Sequence, residues 1–104
     1  MPTRARPDTP QALHLPRLAQ GTPGEWVRLP GGNVQVVTLS GTLTGPATPG
    51  WLVCLTGEAV VDLPLSNFVR LRPGEGYHVT PEQPWTAFGT RDGTTLLLSA
   101  GEPA

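Results

Sequence analysis

WLVCLTGEAVVDLPLSNFVRLRPGEGYHVTPEQPWTAF, residues Trp51 to Phe88, is the stretch whose reading decides the fold. It consists of short runs rich in Val, Leu, Thr and aromatic residues, cut by glycine and proline before any run is long enough for a helix. Trp51 to Thr56 and Glu58 to Leu63 read as strands that meet at Gly57. Asn67 to Leu71 follows a short loop, and PGEG (Pro73 to Gly76) separates it from a strand over Gly76 to Thr80. PEQP (Pro81 to Pro84) turns the chain once more into Trp85 to Thr90. β-branched and aromatic side chains suit a pleated, half-buried surface, so this punctuation predicts strands.

The same pattern continues on both sides. Upstream, Trp26 to Leu29 and Val34 to Thr42 flank PGGN (Pro30 to Asn33), a hairpin turn in which glycine and asparagine accept positive φ. Downstream, RDG (Arg91 to Gly93) leads into Thr94 to Ala100. Eight short strands with turn signals at this spacing predict an all-β, antiparallel fold, a two-sheet jelly roll or a closed double-stranded β-barrel. Residues 1–25 read differently, as a proline-rich N-terminal arm before a barrel over residues 26–104. Pro2, Pro7, Pro10, Pro16 and Pro23 leave no room for a helix of useful length. Leu13, Leu15 and Leu18 are expected to give a short edge strand or turn against the barrel or a second subunit, after an irregular stretch over residues 1–10.

Composition narrows the functional classes. The chain of 104 residues is one domain with one modest core. Its 7 basic and 8 acidic residues give a net charge of -1, which provides no electrostatic footprint for nucleic acid or an anionic membrane. Every basic residue is Arg, so a Schiff-base lysine is excluded. Charged residues are only 14% of the chain, and that apolar balance favours self-association. No apolar run approaches a membrane span, and the first residues have no apolar signal region. Cys54 is the lone cysteine, which excludes an internal disulfide and fits a cytoplasmic protein.

The strand ending in Gly57-Glu58, the return strand, LRPGEG and YHVTPEQPW together resemble the core of the cupin domain, over roughly residues 34–100. In cupins the second motif runs from a glycine, here Gly74, through a proline corner to a metal-binding histidine. Pro81 and Pro84 keep the corner, Thr80 and Glu82 replace the motif's proline and glycine, and Trp85 stands at the histidine. The first motif supplies two histidines and a glutamate before a final glycine. Anchored on Gly57, it puts the glutamate position at Gly50. The histidine positions fall at Thr44 and Pro46, or at Leu43 and Gly45 for the longer spacing. None of these residues can ligate a transition metal, and only His14 and His78 exist in the chain. The resemblance therefore implies a cupin-like barrel with no metal and no cofactor.

In such a barrel, strand alternation from position 50 turns Leu52 and Cys54 inward, opposite Trp85 and Ala87. These four residues are the expected cavity lining. Trp51, Val53, Leu55 and Val61 are expected to face away, into inter-sheet core or a dimer surface. Trp85 has two readings: it fills the space of the metal site, or it is a platform for a small apolar or aromatic ligand. Cys54 is expected to pack as a small apolar residue, and a catalytic thiolate would need an inward His78. His78 and Tyr77 are the catalytic candidates, because metal-free cupin epimerases use a His base oriented by an Asp, here Asp62, and a Tyr acid. As neighbours on one strand they cannot both face one substrate. Glu58 and Glu75 are expected to serve turn geometry, and Arg70 and Arg72 to share a solvated face or, less simply, to bind an anion as a pair.

The leading expectation is a homodimeric, non-enzymatic binding, sensing or accessory protein. The alternatives are a cofactor-independent isomerase or lyase acting on a small metabolite, and a structural dimer module with a filled barrel.

Overall fold

The computed structural model describes residues 12–101. One short helix, α1 (Leu15–Gln20), precedes nine strands. These are β1 (Val27–Arg28), β2 (Val34–Thr38), β3 (Leu43–Thr44), β4 (Gly50–Thr56), β5 (Ala59–Leu63), β6 (Asn67–Leu71), β7 (Gly76–Val79), β8 (Thr86–Gly89) and β9 (Thr95–Ala100). All pairings are antiparallel. They build one sheet in the order β1-β2-β9-β4-β7 and a second in the order β3-β8-β5-β6. The expected all-β class is therefore present as two separate sheets, and their ladders do not join into a closed ring.

Period-two alternation decides what lies between the sheets. β4 buries Leu52 and Cys54 while Trp51 stays 55% exposed. Beside them on the same face, β9 buries Leu96 and Leu98, β2 contributes Val37, and β7 contributes Val79. From the second sheet come Ala59, Val61, Leu71 and Ala87, and Trp85 joins the same packed cluster just before β8. Truncating a side chain such as Leu52 in a cluster this dense costs about 2–5 kcal/mol.

The structure corrects four expectations. Val34 to Thr42 is not one strand. β2 stops at Thr38, the chain crosses to the other sheet through Gly41 at φ 72°, and β3 begins at Leu43. β4 and β5 do not form a hairpin about Gly57, because they belong to different sheets. Gly57 (φ 77°) is a corner, where a Cβ would lie 2.2 Å from Thr94 Oγ1. Crossing that corner also reverses the inward parity: even positions face the core in β4, odd ones in β5. Val61, expected to face away, is consequently fully buried in the core.

The fourth correction is the helix. Proline is tolerated in a helix's first turn, where its missing N–H has no intrahelical partner, and Pro16 occupies that turn. His14 caps the end, its Nδ1 accepting the Arg17 N–H at 3.1 Å. α1 lies against β2 on the outer face of the first sheet, where Ala19 and Val36 are fully buried. Leu13 and Leu18, expected to pack, are exposed at 57% and 38%. The irregular stretch expected over residues 1–10 lies outside the described residues. The PGGN hairpin forms as expected, with Val27 opposite Val36 and Gly31 at φ 83°.

Candidate functional site

Trp85 is 3% exposed and is packed with Leu52, Cys54 and Ala87, the four residues expected to line a cavity. Its indole lies over Gly45: a Cβ there would stand 2.0 Å from Trp85 Cε2 and 2.1 Å from Cζ2. Glycine at 45 is thus what admits the ring. Gly50, where the cupin resemblance would put a glutamate, is equally closed, since a Cβ would lie 2.3 Å from the Ser99 carbonyl oxygen. No carboxylate side chain fits at 50 without moving the β4–β9 ladder. Thr44, at one histidine position, is exposed. These residues do not fit a metal, and among the described residues no three His, Cys, Asp or Glu side chains cluster.

One polar atom breaks this apolar packing. Trp85 Nε1 is buried and has no hydrogen-bond partner among the described residues. Leaving such a donor unpaired costs about 1–3 kcal/mol. A shallow depression of about 360 Å³ reaches the indole from outside, walled by Leu63, Pro64 and Pro84 and edged by Thr44, Asp62 and Thr86. Thr44, Thr86 and Asp62 form one cross-strand row over β3, β8 and β5.

The catalytic candidates do not converge. His78 pairs with Trp51 across β4 and β7, so it lies on the outer face, exposed, with the two rings edge to face at 5.4 Å. Tyr77 points to the other face, half-buried, and its hydroxyl donates to Gln83 Oε1 at 3.3 Å. Asp62 is exposed on the second sheet. Cys54 faces the core, away from His78, and donates to the Thr56 carbonyl at 3.3 Å. Burial pushes its thiol up, Glu75 and Glu58 push it further, and the Thr56 contact only partly opposes them. A protonated thiol without an imidazole is a packing group.

A cluster the linear sequence does not announce forms at the start of β5. Glu58 sits between the ends of β6 and β8, since Thr90 N–H donates to the Glu58 carbonyl at 2.8 Å and Ala59 pairs with Leu71 and Gly89. Thr90 Oγ1 donates to Glu58 Oε1 at 2.6 Å, and Arg70 and Arg72 approach Oε2 through Nε at 3.7 and 3.5 Å. Thr90's hydroxyl holds the Glu58 carboxyl below the ordinary range, assisted by Arg70, Arg72 and Arg91 and opposed by partial desolvation. Glu75 keeps the expected turn role, accepting the Arg72 N–H at 2.8 Å. Arg70 and Arg72 were visible as a pair from their spacing. Arg91 joins them only because β5 separates β6 from β8.

No family model matches the chain, and no curated protein matches it. Two solved structures are similar in fold. One is protein NMB1881 from Neisseria meningitidis, with a TM-score of 0.68 at 15% identity over 86% of this chain and 98% of that one. The other is a structural-genomics protein of unknown function from Rhizobium leguminosarum bv. viciae 3841, with a TM-score of 0.65 at 15% identity over 89% and 99%. At that identity the likeness concerns the fold alone.

Proposed function

We propose that this chain is a metal-free jelly roll of the cupin type that works through its surface, as a self-associating accessory module. The strand order supports the fold: β2-β9-β4-β7 against β3-β8-β5-β6 is the arrangement of an eight-stranded jelly roll, with β1 added at one edge. The observation that carries the functional reading is the occupied interior. Trp85, Leu52, Cys54 and Ala87 are buried in one packed cluster, which supports a filled interior over an open cavity. The opposite faces of His78 and Tyr77 give the isomerase or lyase alternative no support.

The surface suits a second copy. α1 covers the first sheet over β2, but Trp51, His78 and the partly exposed Val53 and Leu97 remain open beside β7. β7 is an edge strand. Antiparallel pairing of β7 with its counterpart is two-fold by construction, and it would bring two Trp51–His78 pairs onto one continuous face. Cytoplasmic residence, resting on the lone buried thiol, belongs to the same reading.

A second reading, binding of a small apolar or aromatic molecule, is favoured by the unpaired Trp85 Nε1 beside the Asp62 depression. Sedimentation velocity decides between them. The self-association reading expects twice the chain mass at micromolar concentration and a monomer for Trp51→Glu. Wild-type protein that stays monomeric at high micromolar concentration overturns it.

A further inference from the structure

We propose that the end of the second sheet around Arg72 and Arg91 is a binding site for the oxyanion head of a small molecule whose flat or apolar body rests on Phe88. Two of the seven arginines, Arg70 and Arg72, approach one carboxylate, and Arg91, from a separate segment, lines the same depression as that carboxylate. That carboxylate does not consume them. Glu58 Oε1 is taken by Thr90, and the approaches of Arg70 and Arg72 to Oε2 are longer than hydrogen bonds and made through Nε. The two side chains are 52% and 63% exposed, so their guanidinium forks, which match phosphate and carboxylate oxygens, are accessible from solvent.

The shape agrees with the charge. A depression of about 320 Å³ is lined by Gly57, Glu58, Arg72, Pro73 and Arg91. Arg91 also borders a neighbouring depression of about 540 Å³ that contains Phe88, Thr90, Ser40 and Thr42. Phe88 is 36% exposed there. One ligand can therefore set its anionic head between Arg72 and Arg91 and lay a ring on Phe88, with threonine and serine hydroxyls beside it. Glu58 approaches the Arg70 and Arg72 Nε atoms, while the other carboxylates at this end, Asp92 lining the Phe88 depression and Glu75 accepting the Arg72 N–H, limit the head to the space between Arg72 and Arg91. This site is on the second sheet and is independent of self-association through Trp51.

The test is titration of the full chain at low ionic strength with inorganic phosphate, phenyl phosphate and benzoate, followed by amide chemical shifts. Saturable shifts are expected at the amides of Gly57, Glu58, Arg72, Thr90 and Arg91, with phenyl phosphate tighter than phosphate and also moving Phe88. Tighter phenyl phosphate than benzoate assigns a phosphate head, and the reverse assigns a carboxylate. Arg72→Gln and Arg91→Gln should each weaken binding about tenfold, and Arg72→Lys less, because a point charge replaces part of the fork. Both side chains project from the surface, and Arg28→Gln serves as a folded control with unchanged affinity. Absence of saturation with every probe overturns the proposal. So do affinities that survive both Gln variants, or shifts of equal size around Arg17 and Arg28.

Discussion

Replacing Gly45 by Ala probes the seat of Trp85 directly. The added methyl would stand 2.0 Å from Cε2, 2.1 Å from Cζ2 and 2.5 Å from Cδ2 of the indole. These atoms belong to a rigid bicyclic ring that is itself 3% exposed, so relief requires the whole indole to shift against its packed neighbours. Overpacking of this kind costs about 1–3 kcal/mol. Against it stands the smaller backbone entropy of the unfolded alanine chain, worth about 0.4–1 kcal/mol. The net expectation is a destabilisation of about 1–2 kcal/mol. That corresponds to a fall in Tm of roughly 4–16 °C for a domain near this size. Urea unfolding followed by far-UV circular dichroism reads it without depending on the indole. The double-mutant cycle with Trp85→Leu isolates the pair: once the ring is shortened, Gly45→Ala should cost little. Equal stabilities of wild type and Gly45→Ala, or an undiminished cost in the Trp85→Leu background, would refute the stacked geometry.

Three further outcomes follow from local geometry and charge. Leu65 and Ser66 occupy the left-handed region (φ 64° and 61°) in the turn closed by the Asn67 N–H and the Pro64 carbonyl, and Leu65 is 92% exposed. Leu65→Asn with Ser66→Gly should stabilise the protein by about 1–2 kcal/mol in urea unfolding, and no gain would refute the strain argument. Cys54 should react with iodoacetamide in native protein at a rate set by opening of the core, far below that of a free thiol at pH 8; rapid native labelling contradicts its burial. The Glu58 carboxyl, held low in the folded state, contributes stability above the ordinary glutamate pKa of about 4.3 and loses it as pH falls through its own lower value. Glu58→Gln should therefore be less stable than wild type near pH 7, and the two should converge in acid.

The strands were legible because glycine and proline punctuate β-branched runs, and β6 matches its expected limits, Asn67 to Leu71. The inward placement of Leu52, Cys54, Trp85 and Ala87 was legible too, from alternation and the resemblance. Val61 was not, because alternation holds only along a continuous strand and the Gly57 corner resets it. α1 was not legible from proline content, because Pro16 in the first turn starts a helix and does not break one. The Arg70–Arg72–Arg91 cluster depends on two strands flanking a third, a relation between distant segments that no local pattern carries.

Everything proposed for the interior rests on the buried Trp85 indole within the core cluster. Hydrogen exchange of the three indole N–H groups tests it most directly, with each resonance assigned by a Trp→Phe variant. The prediction is that Trp85 Nε1–H exchanges only through global unfolding, in wild type and in Trp51→Glu alike. A Trp85 indole proton that exchanges in native protein as fast as in the urea-unfolded chain would contradict the filled interior and return Trp85 to the wall of an open cavity.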